Sequence, residues 1–316
     1  MIGNQSTLRQ RATLYRLIRQ FFYDRDVLEV STPLLGTHTV TDPHIISLVV
    51  GDGEQQRYLQ TSPEFAMKKL LARDSSAIYS LGPAFRSGES GGKHNPEFMM
   101  LEWYRPGYDL EQLQSEVGSL LERLGQHFEL NIPQPLTVSY SELFKNRFGV
   151  NPHNSDTPTL KSIALDAFPD HVHHLQILHQ GERDEGEKDD LLDLLFVLGI
   201  EPGLQAPHFV TGFPESQASL ARVGCEDGQR VALRAELYWQ GIELANGYDE
   251  LRDSNELRNR MARDNRIRLV RGLPQIAPDE SLLNVLPAMP PCAGIALGVD
   301  RLLMLLLGRQ QLSDVL

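Results

Sequence analysis

The chain has only two cysteines in 316 residues, Cys225 and Cys292, which could pair just once. That excludes a disulfide-built scaffold. With no metal-ligand spacing around them, a cysteine zinc module is excluded too, and a reducing cytoplasm is the natural compartment. Long apolar runs are also missing. The stretch Leu302 to Leu307 falls far short of the roughly 20 residues that cross a bilayer. The N-terminus, MIGNQSTLRQRATLYRL, has no apolar signal core and reads as a helix start. Positive charge is scarce, with 30 Lys and Arg against 42 Asp and Glu, a formal charge of −12. This argues against a protein that lives by gripping phosphate backbones, although a small basic pocket stays compatible with it. What remains, 41% hydrophobic and 23% charged residues, describes an ordinary globular protein with a real core.

The length permits one or two domains. Gln5 to Phe22 places Leu8, Ala12, Tyr15, Ile18 and Phe22 three to four apart, one face of an amphipathic helix. It runs into VLEVSTPLL, a strand stopped by Pro33. IISLVV (45–50) and RYLQ (57–60) read as strands across the turn-like GDG. In TSPEFAMKKLLARD, Ser62 suits an N-cap, Pro63 the first helical position, and Glu64 the positive end of the dipole. AIYSLGPAFR and FMMLEWYR read as paired strands around SGESGGKHNPE, followed by a helix from Asp109 to about Phe128. The middle, about 130–205, reads as helical. VALRAELYW and IELANGY return as strands across a turn at Gln240–Gly241, and a charged helix spans about Leu251 to Arg271. PCAGIALGVDRLLMLLLG reads as a strand entering a buried helix. Strands joined by hairpins, with helices grouped between them, predict an α+β fold: an antiparallel sheet flanked by helices.

Four places put charge or glycine inside otherwise apolar strands, where burial is costly without pairing or function. Arg86 ends the AIYSLGPAFR strand. Glu236 and Glu243 sit on the two arms of the late hairpin, where a separation of seven lets them face one another. Two facing carboxylates ask for a cation, and an oxygen-only pair favours Mg²⁺ or Mn²⁺ with phosphate completing the shell. GIALGVDR offers Gly298 for close backbone approach and Arg301 at a helix start. Glu64, Glu102, Tyr104 and Glu250 form an acidic and aromatic set that suggests a cationic second substrate. Two distant arginines plus a metal-ready carboxylate pair suggest a nucleoside triphosphate, because the guanidinium fork matches phosphate. There is no GxxxxGK[ST] and no GxGxxG after a strand, so neither a P-loop nor a dinucleotide fold is expected. His171, His173, His174 and His179 lack matching cysteine or carboxylate spacing for zinc, and ERDEGEKDD reads as a solvated helix start.

These segments resemble the catalytic domain of class II aminoacyl-tRNA synthetases, most nearly the lysine enzymes, from about Gln5 to the C-terminus. FFYDRDVLEVSTPLL is similar to the first class II motif, which implies a homodimer interface. FRSGESGGKHNPEFMMLEWY is similar to the second. There the resemblance implies Arg86 on the α-phosphate, with Ser87, Gly88, Glu89, His94 and Asn95 around the ATP. GIALGVDRLLML is similar to the third, implying Arg301 on the γ-phosphate beside Gly298, with Glu243 and Leu244 completing the nucleotide site. TSPEF and ELANGYDEL match the lysine-pocket segments. They imply substrate contacts from Ser62, Pro63, Glu64, Glu102, Tyr104, Asn246, Glu250 and Ala296. Two departures stand out: Gly88 occupies the place of a carboxylate, with Glu89 beside it, and Ala296 stands where lysine enzymes carry glycine, crowding the α-amino position. The first-motif helix begins almost at Met1, so one catalytic domain over 1–316 without an anticodon-binding OB-fold domain is expected. That truncated form, with LEWYRPGYD, GIELANGYDEL and CAGIALGVDR, is similar to the synthetase paralogues that modify elongation factor P. The resemblance implies activation of (R)-β-lysine by ATP and Mg²⁺, transfer to a lysine side chain of elongation factor P, and no stable tRNA binding. A tRNA-charging paralogue and a non-catalytic regulatory paralogue are the alternatives.

Overall fold

A computed structural model describes residues 5–172, 186–226 and 228–316. Its centre is a nine-stranded sheet. One half holds β1 (Leu28–Glu29), β5 (Ile78–Phe85), β6 (Glu97–Pro106) and β12 (Cys292–Gly298). The other half holds β11 (Glu243–Asp249), β10 (Gln229–Tyr238), β8 (His208–Pro214) and β7 (Leu136–Ser139). The order is β1-β5-β6-β12-β11-β10-β8-β7, with β9 (Val223–Glu226) pairing β10. Interior pairs are antiparallel, as hairpin connections dictate, while β1 with β5 and β7 with β8 run parallel at the two edges. A small second sheet joins β2 (Leu35–Gly36), β4 (Arg57–Leu59) and β3 (Val49–Val50).

Register explains how one sheet serves both core and site. Alternate residues of a strand face opposite sides. One side carries Tyr79, Leu101, Trp103, Ile295, Leu297, Ala245, Ala235 and Leu237, all in the main hydrophobic core. Against it pack α1 (Gln5–Tyr23), α3 (Leu110–His127) and α9 (Val299–Leu306). The other side carries two transverse rows. Ser80, Glu102, Ala296, Asn246 and Glu236 are successive partners across five strands, and Ile78, Tyr104, Gly294, Tyr248 and Arg234 form the next rung. The polar positions within apolar strands therefore share one surface.

Several helices form where local chemistry asks for them. Asp109 and Gln112 close a capping box at α3, and Asp253 caps α7 (Ser254–Val270). Gln240 and Gly241, both at positive φ, make the β10–β11 turn. Other expectations need correction. The buried stripe of α1 is Leu14, Ile18, Phe21 and Phe22, whereas Leu8 is 45% exposed and Ala12 is also exposed. α2 (Glu64–Leu71) starts one residue later than expected: Pro63 is its cap, while Ser62 Oγ still accepts from the Glu64 amide at 3.2 Å. VLEVSTPLL and IISLVV shrink to β1 and β3, and β7 lies inside the stretch read as helical. The acidic stretch does open a helix, α6 (Glu187–Gly199), but Asp190 is buried and paired with Arg271 and His44 rather than solvated. Residues 182–185 of that stretch, and His173, His174 and His179, lie outside the described residues. Among the described residues no helix is long and apolar enough to cross a membrane.

Candidate active site

The polar rows floor a cavity of about 900 Å³. Ser62, Glu64, Arg86, Glu89, His94, Asn95, Glu102, Tyr104, Glu236, Glu243, Leu244, Asn246, Glu250, Ala296, Gly298 and Arg301 all line it. Pro63, Ser87 and Gly88 do not. Pro63 serves as the helix cap, and the Ser87 amide donates to the Ile46 carbonyl at 2.7 Å. Gly88 takes φ +80°, a conformation that favours glycine, and it is Glu89 that the loop brings to the cavity.

One end is rich in guanidinium. Arg86 follows β5; its Nε donates to the Thr61 carbonyl at 3.4 Å, and Nη1 lies 3.4 Å from Glu89 Oε1. Arg301, in the first turn of α9, donates to the carbonyls of Lys93 at 3.1 Å and Glu243 at 2.9 Å. Neutral carbonyl acceptors orient the fork while leaving its positive charge for an incoming anion. Burial and the nearby Arg301 hold the His94 imidazole below its ordinary pKa, so it is neutral at pH 7. Asn95 donates to the Glu97 carbonyl. Gly298 lines the cavity, and a Cβ there would meet no protein atom nearer than 3.7 Å, so the space beside it opens to the cavity. The crowding lies instead at Gly294, whose Cβ would come within 2.4 Å of the Tyr104 ring and 2.5 Å of Glu250 Oε1.

Glu236 and Glu243 share this surface, but not as direct partners. The Gln240–Gly241 turn sets Glu243 opposite Tyr238, and a register shift between Leu237 and Tyr238 places Glu236 opposite Asn246. Leu244, at that shift, packs its side chain into the core and leaves its backbone to the cavity. Glu236 accepts from Arg234 and from the Tyr238 hydroxyl. Burial, and then repulsion from Glu236, raise the pKa of Glu243. Glu201 is pushed up to about 7 by burial and Glu243. The donor chemistry of this all-oxygen pair suits a hard divalent ion. Among the described residues no three His, Cys, Asp or Glu side chains converge on a metal, so other oxygens must complete such a shell.

The opposite end is rich in carboxylate. The Tyr104 hydroxyl donates to Glu102 Oε1 at 2.6 Å, while Glu102 Oε2 is buried with no hydrogen-bond partner among the described residues. Burial, then repulsion from Glu64, pushes Glu102 up to about 8. Burial pushes Glu250 up to about 8 against the pull of Lys68. Lys68 is the residue that sequence reasoning missed. Its Nζ lies 2.7 Å from Glu64 Oε1 and 2.6 Å from Glu250 Oε2. Glu64 and Glu250 therefore share an internal ammonium. The i,i+4 spacing of Glu64 and Lys68 on the expected helix was the available signal. Ala296 sits between Glu102 and Asn246 in the transverse row, on the face that lines the cavity.

Arginines at one end, the Glu236 and Glu243 carboxylates and a carboxylate-lined pocket thus share one face of the sheet. The family model for class II tRNA synthetases (D, K and N) matches residues 3–316, and the chain belongs to that family. Within it, the chain is similar to proteins named elongation factor P–(R)-β-lysine ligase. The Photorhabdus laumondii relative is 46% identical, over 98% of this chain and 94% of its own length. The relatives from Edwardsiella ictaluri and Proteus mirabilis are 45% and 44% identical over the same shares.

Proposed function

We propose that the protein is an ATP-dependent ligase that activates (R)-β-lysine as an aminoacyl-adenylate and transfers it to a lysine side chain of elongation factor P. The observation that carries this reading is the division of one cavity into a guanidinium end and a carboxylate end on a single sheet face. A diammonium acid bound with its ammonium groups toward Glu64, Glu102 and Glu250 turns its carboxylate toward Arg86. That carboxylate attacks the α-phosphorus in line, the bond to the bridging oxygen breaks, and pyrophosphate leaves. Arg86 takes charge developing on the α-phosphate and Arg301 holds the terminal phosphate. Positioning and fixed charge supply the rate enhancement, with no covalent enzyme nucleophile. Glu89, His94 and Asn95 enclose the nucleotide, and the cavity position of Glu89 supports its taking the adenine-reading place left by Gly88. Glu243 and Glu236 would hold Mg²⁺, which screens the triphosphate charge. In the second step the acceptor ε-amine, unprotonated, attacks the acyl carbon, AMP departs with the bonding pair, and the nitrogen releases one proton to solvent as the amide forms.

The same reading treats 1–316 as one catalytic domain of a cytoplasmic homodimer that pairs through the first class II motif and makes no stable tRNA complex. Amino-acid-dependent ATP–pyrophosphate exchange tests the first step, comparing (R)-β-lysine with L-α-lysine. Intact mass of elongation factor P, set against acylation of tRNA, tests the second. Exchange with (R)-β-lysine and a mass increase of one lysyl group are expected. Acylated tRNA with unmodified protein would favour the synthetase reading, and no exchange with either amino acid would leave a non-catalytic paralogue.

A further inference from the structure

We propose that Lys68 is a positioning and specificity residue: its buried ammonium, fixed between Glu64 and Glu250, sets the charge of the amino-acid pocket so that it takes a diammonium acid. The inference rests on the reading of this end as the amino-acid site and goes beyond it by assigning the residue that sets its charge.

Three carboxylates meet here, from three elements: Glu64 on α2, Glu102 on β6, and Glu250 just past β11. Lys68, one turn along α2, is 1% exposed, and its neighbours Met67 and Leu71 are locked in a hydrophobic cluster with Leu282 and Leu283. The ammonium therefore cannot swing out to solvent. Burial opposes its charge, but Glu250 and Glu64 outweigh burial and hold its pKa above the ordinary value, so it stays protonated. Once a cationic ligand draws off the protons that burial leaves on Glu102 and Glu250, three carboxylates and one ammonium leave two negative charges. A buried charge without a partner is strongly unfavourable, so a ligand with two ammonium groups is matched and one with a single ammonium leaves a carboxylate uncompensated. The buried, unpartnered Oε2 of Glu102 is one acceptor waiting for such a group. Lys68 also fixes where the remaining charge lies. By pairing with Oε1 of Glu64 and Oε2 of Glu250 it ties the two carboxylates to one fixed point and so sets where their charge lies. The absence of a side chain at Gly294 keeps Tyr104 and Glu250 close enough to share the same guest.

The test uses the full chain and ATP–pyrophosphate exchange driven by (R)-β-lysine, with Lys68→Met and Lys68→Ala. Without the ammonium, Glu64 and Glu250 repel one another or take up protons and lose their set positions, which predicts a rise in the amino-acid KM of roughly ten- to a hundredfold, with the ATP KM changed less than about twofold. Ethylammonium or propylammonium added to Lys68→Ala should restore much of the lost affinity by refilling the cavity, whereas propanol should not. A merely structural lysine would show no such dependence on the charge of the additive. The proposal is overturned if the amino-acid KM is unchanged, if both KM values rise together, or if propanol rescues as well as the ammonium. It is equally overturned if Lys68→Met, which keeps the aliphatic stem, fails to fold, because the ammonium would then serve stability. Absence of exchange by the unmodified protein would instead defeat the reading of the site itself.

Discussion

The two ends of the cavity solve the same problem with opposite signs and different means. At the guanidinium end, Arg301 is oriented by backbone carbonyls, so its charge is free to meet an anion. At the carboxylate end, carboxylates crowd together and the protein supplies its own counter-ion in Lys68. The difference follows from solvation. A guanidinium tolerates a neutral cradle because it is weakly hydrated and cannot lose its proton. Buried carboxylates without a cation take up protons instead, and a protonated carboxyl is a poor partner for an ammonium group. An internal lysine keeps such a cluster charged enough to bind while leaving the ligand a defined share.

Substitutions can break this contrast at either end. The largest effect belongs to Arg301→Ala, which removes a charge aimed at the triphosphate. Exchange should fall by roughly two to three orders of magnitude with little change in thermal unfolding, read by exchange rate and a melting curve together. Glu243→Gln should cost roughly a hundredfold in exchange and raise the Mg²⁺ concentration for half-maximal rate, since it halves the proposed ion-holding pair. A magnesium titration of the variant that overlays the parent would separate Glu243 from the metal. Glu250→Gln acts at the other end. It should raise the amino-acid KM by about tenfold or more while sparing ATP binding, and equal losses would contradict its assignment.

A smaller effect sharpens the same comparison through pH. Glu102 and Glu250 each have their pKa pushed up to about 8, so below that range they carry protons in the free protein. Binding a diammonium acid requires them ionised and releases those protons. The amino-acid KM should therefore fall by a few fold as pH rises toward 8, while the ATP KM varies less over the same span. A pH profile in which both constants move together would remove the distinction between the ends.

Much of this was legible in the chain, for identifiable reasons. Strand positions follow from period-two alternation, so Glu102, Tyr104, Glu236 and Asn246 were placed on elements that the structure keeps. The turn at Gln240–Gly241 was legible from the short gap between two strands. Three kinds of feature were not. Short pairings such as β1 and β3 depend on tertiary partners rather than on their own composition. The stripe of α1 was misplaced by part of a turn because Leu14 and Phe21, not Leu8 and Ala12, meet the sheet. Lys68 was invisible because a lysine on a helix near a glutamate ordinarily describes a solvated surface pair. Only the fold shows that Glu250, far along the chain, closes over it. The offset of Glu236 from Glu243 follows from the turn at Gln240–Gly241, which pairs Glu243 with Tyr238, and the register shift that sets Glu236 against Asn246 has no signal in the sequence.

The most direct test of a cavity divided by charge compares two ligands that differ by one ammonium group. ATP–pyrophosphate exchange is measured with (R)-β-lysine and with the 3-aminohexanoic acid of matching configuration, which keeps the β-ammonium and lacks the terminal one. The account predicts robust exchange with (R)-β-lysine and activity lower by at least roughly a hundredfold with the monoammonium acid, because one buried carboxylate would be left without a partner. Comparable kcat/KM values for the two acids would contradict it.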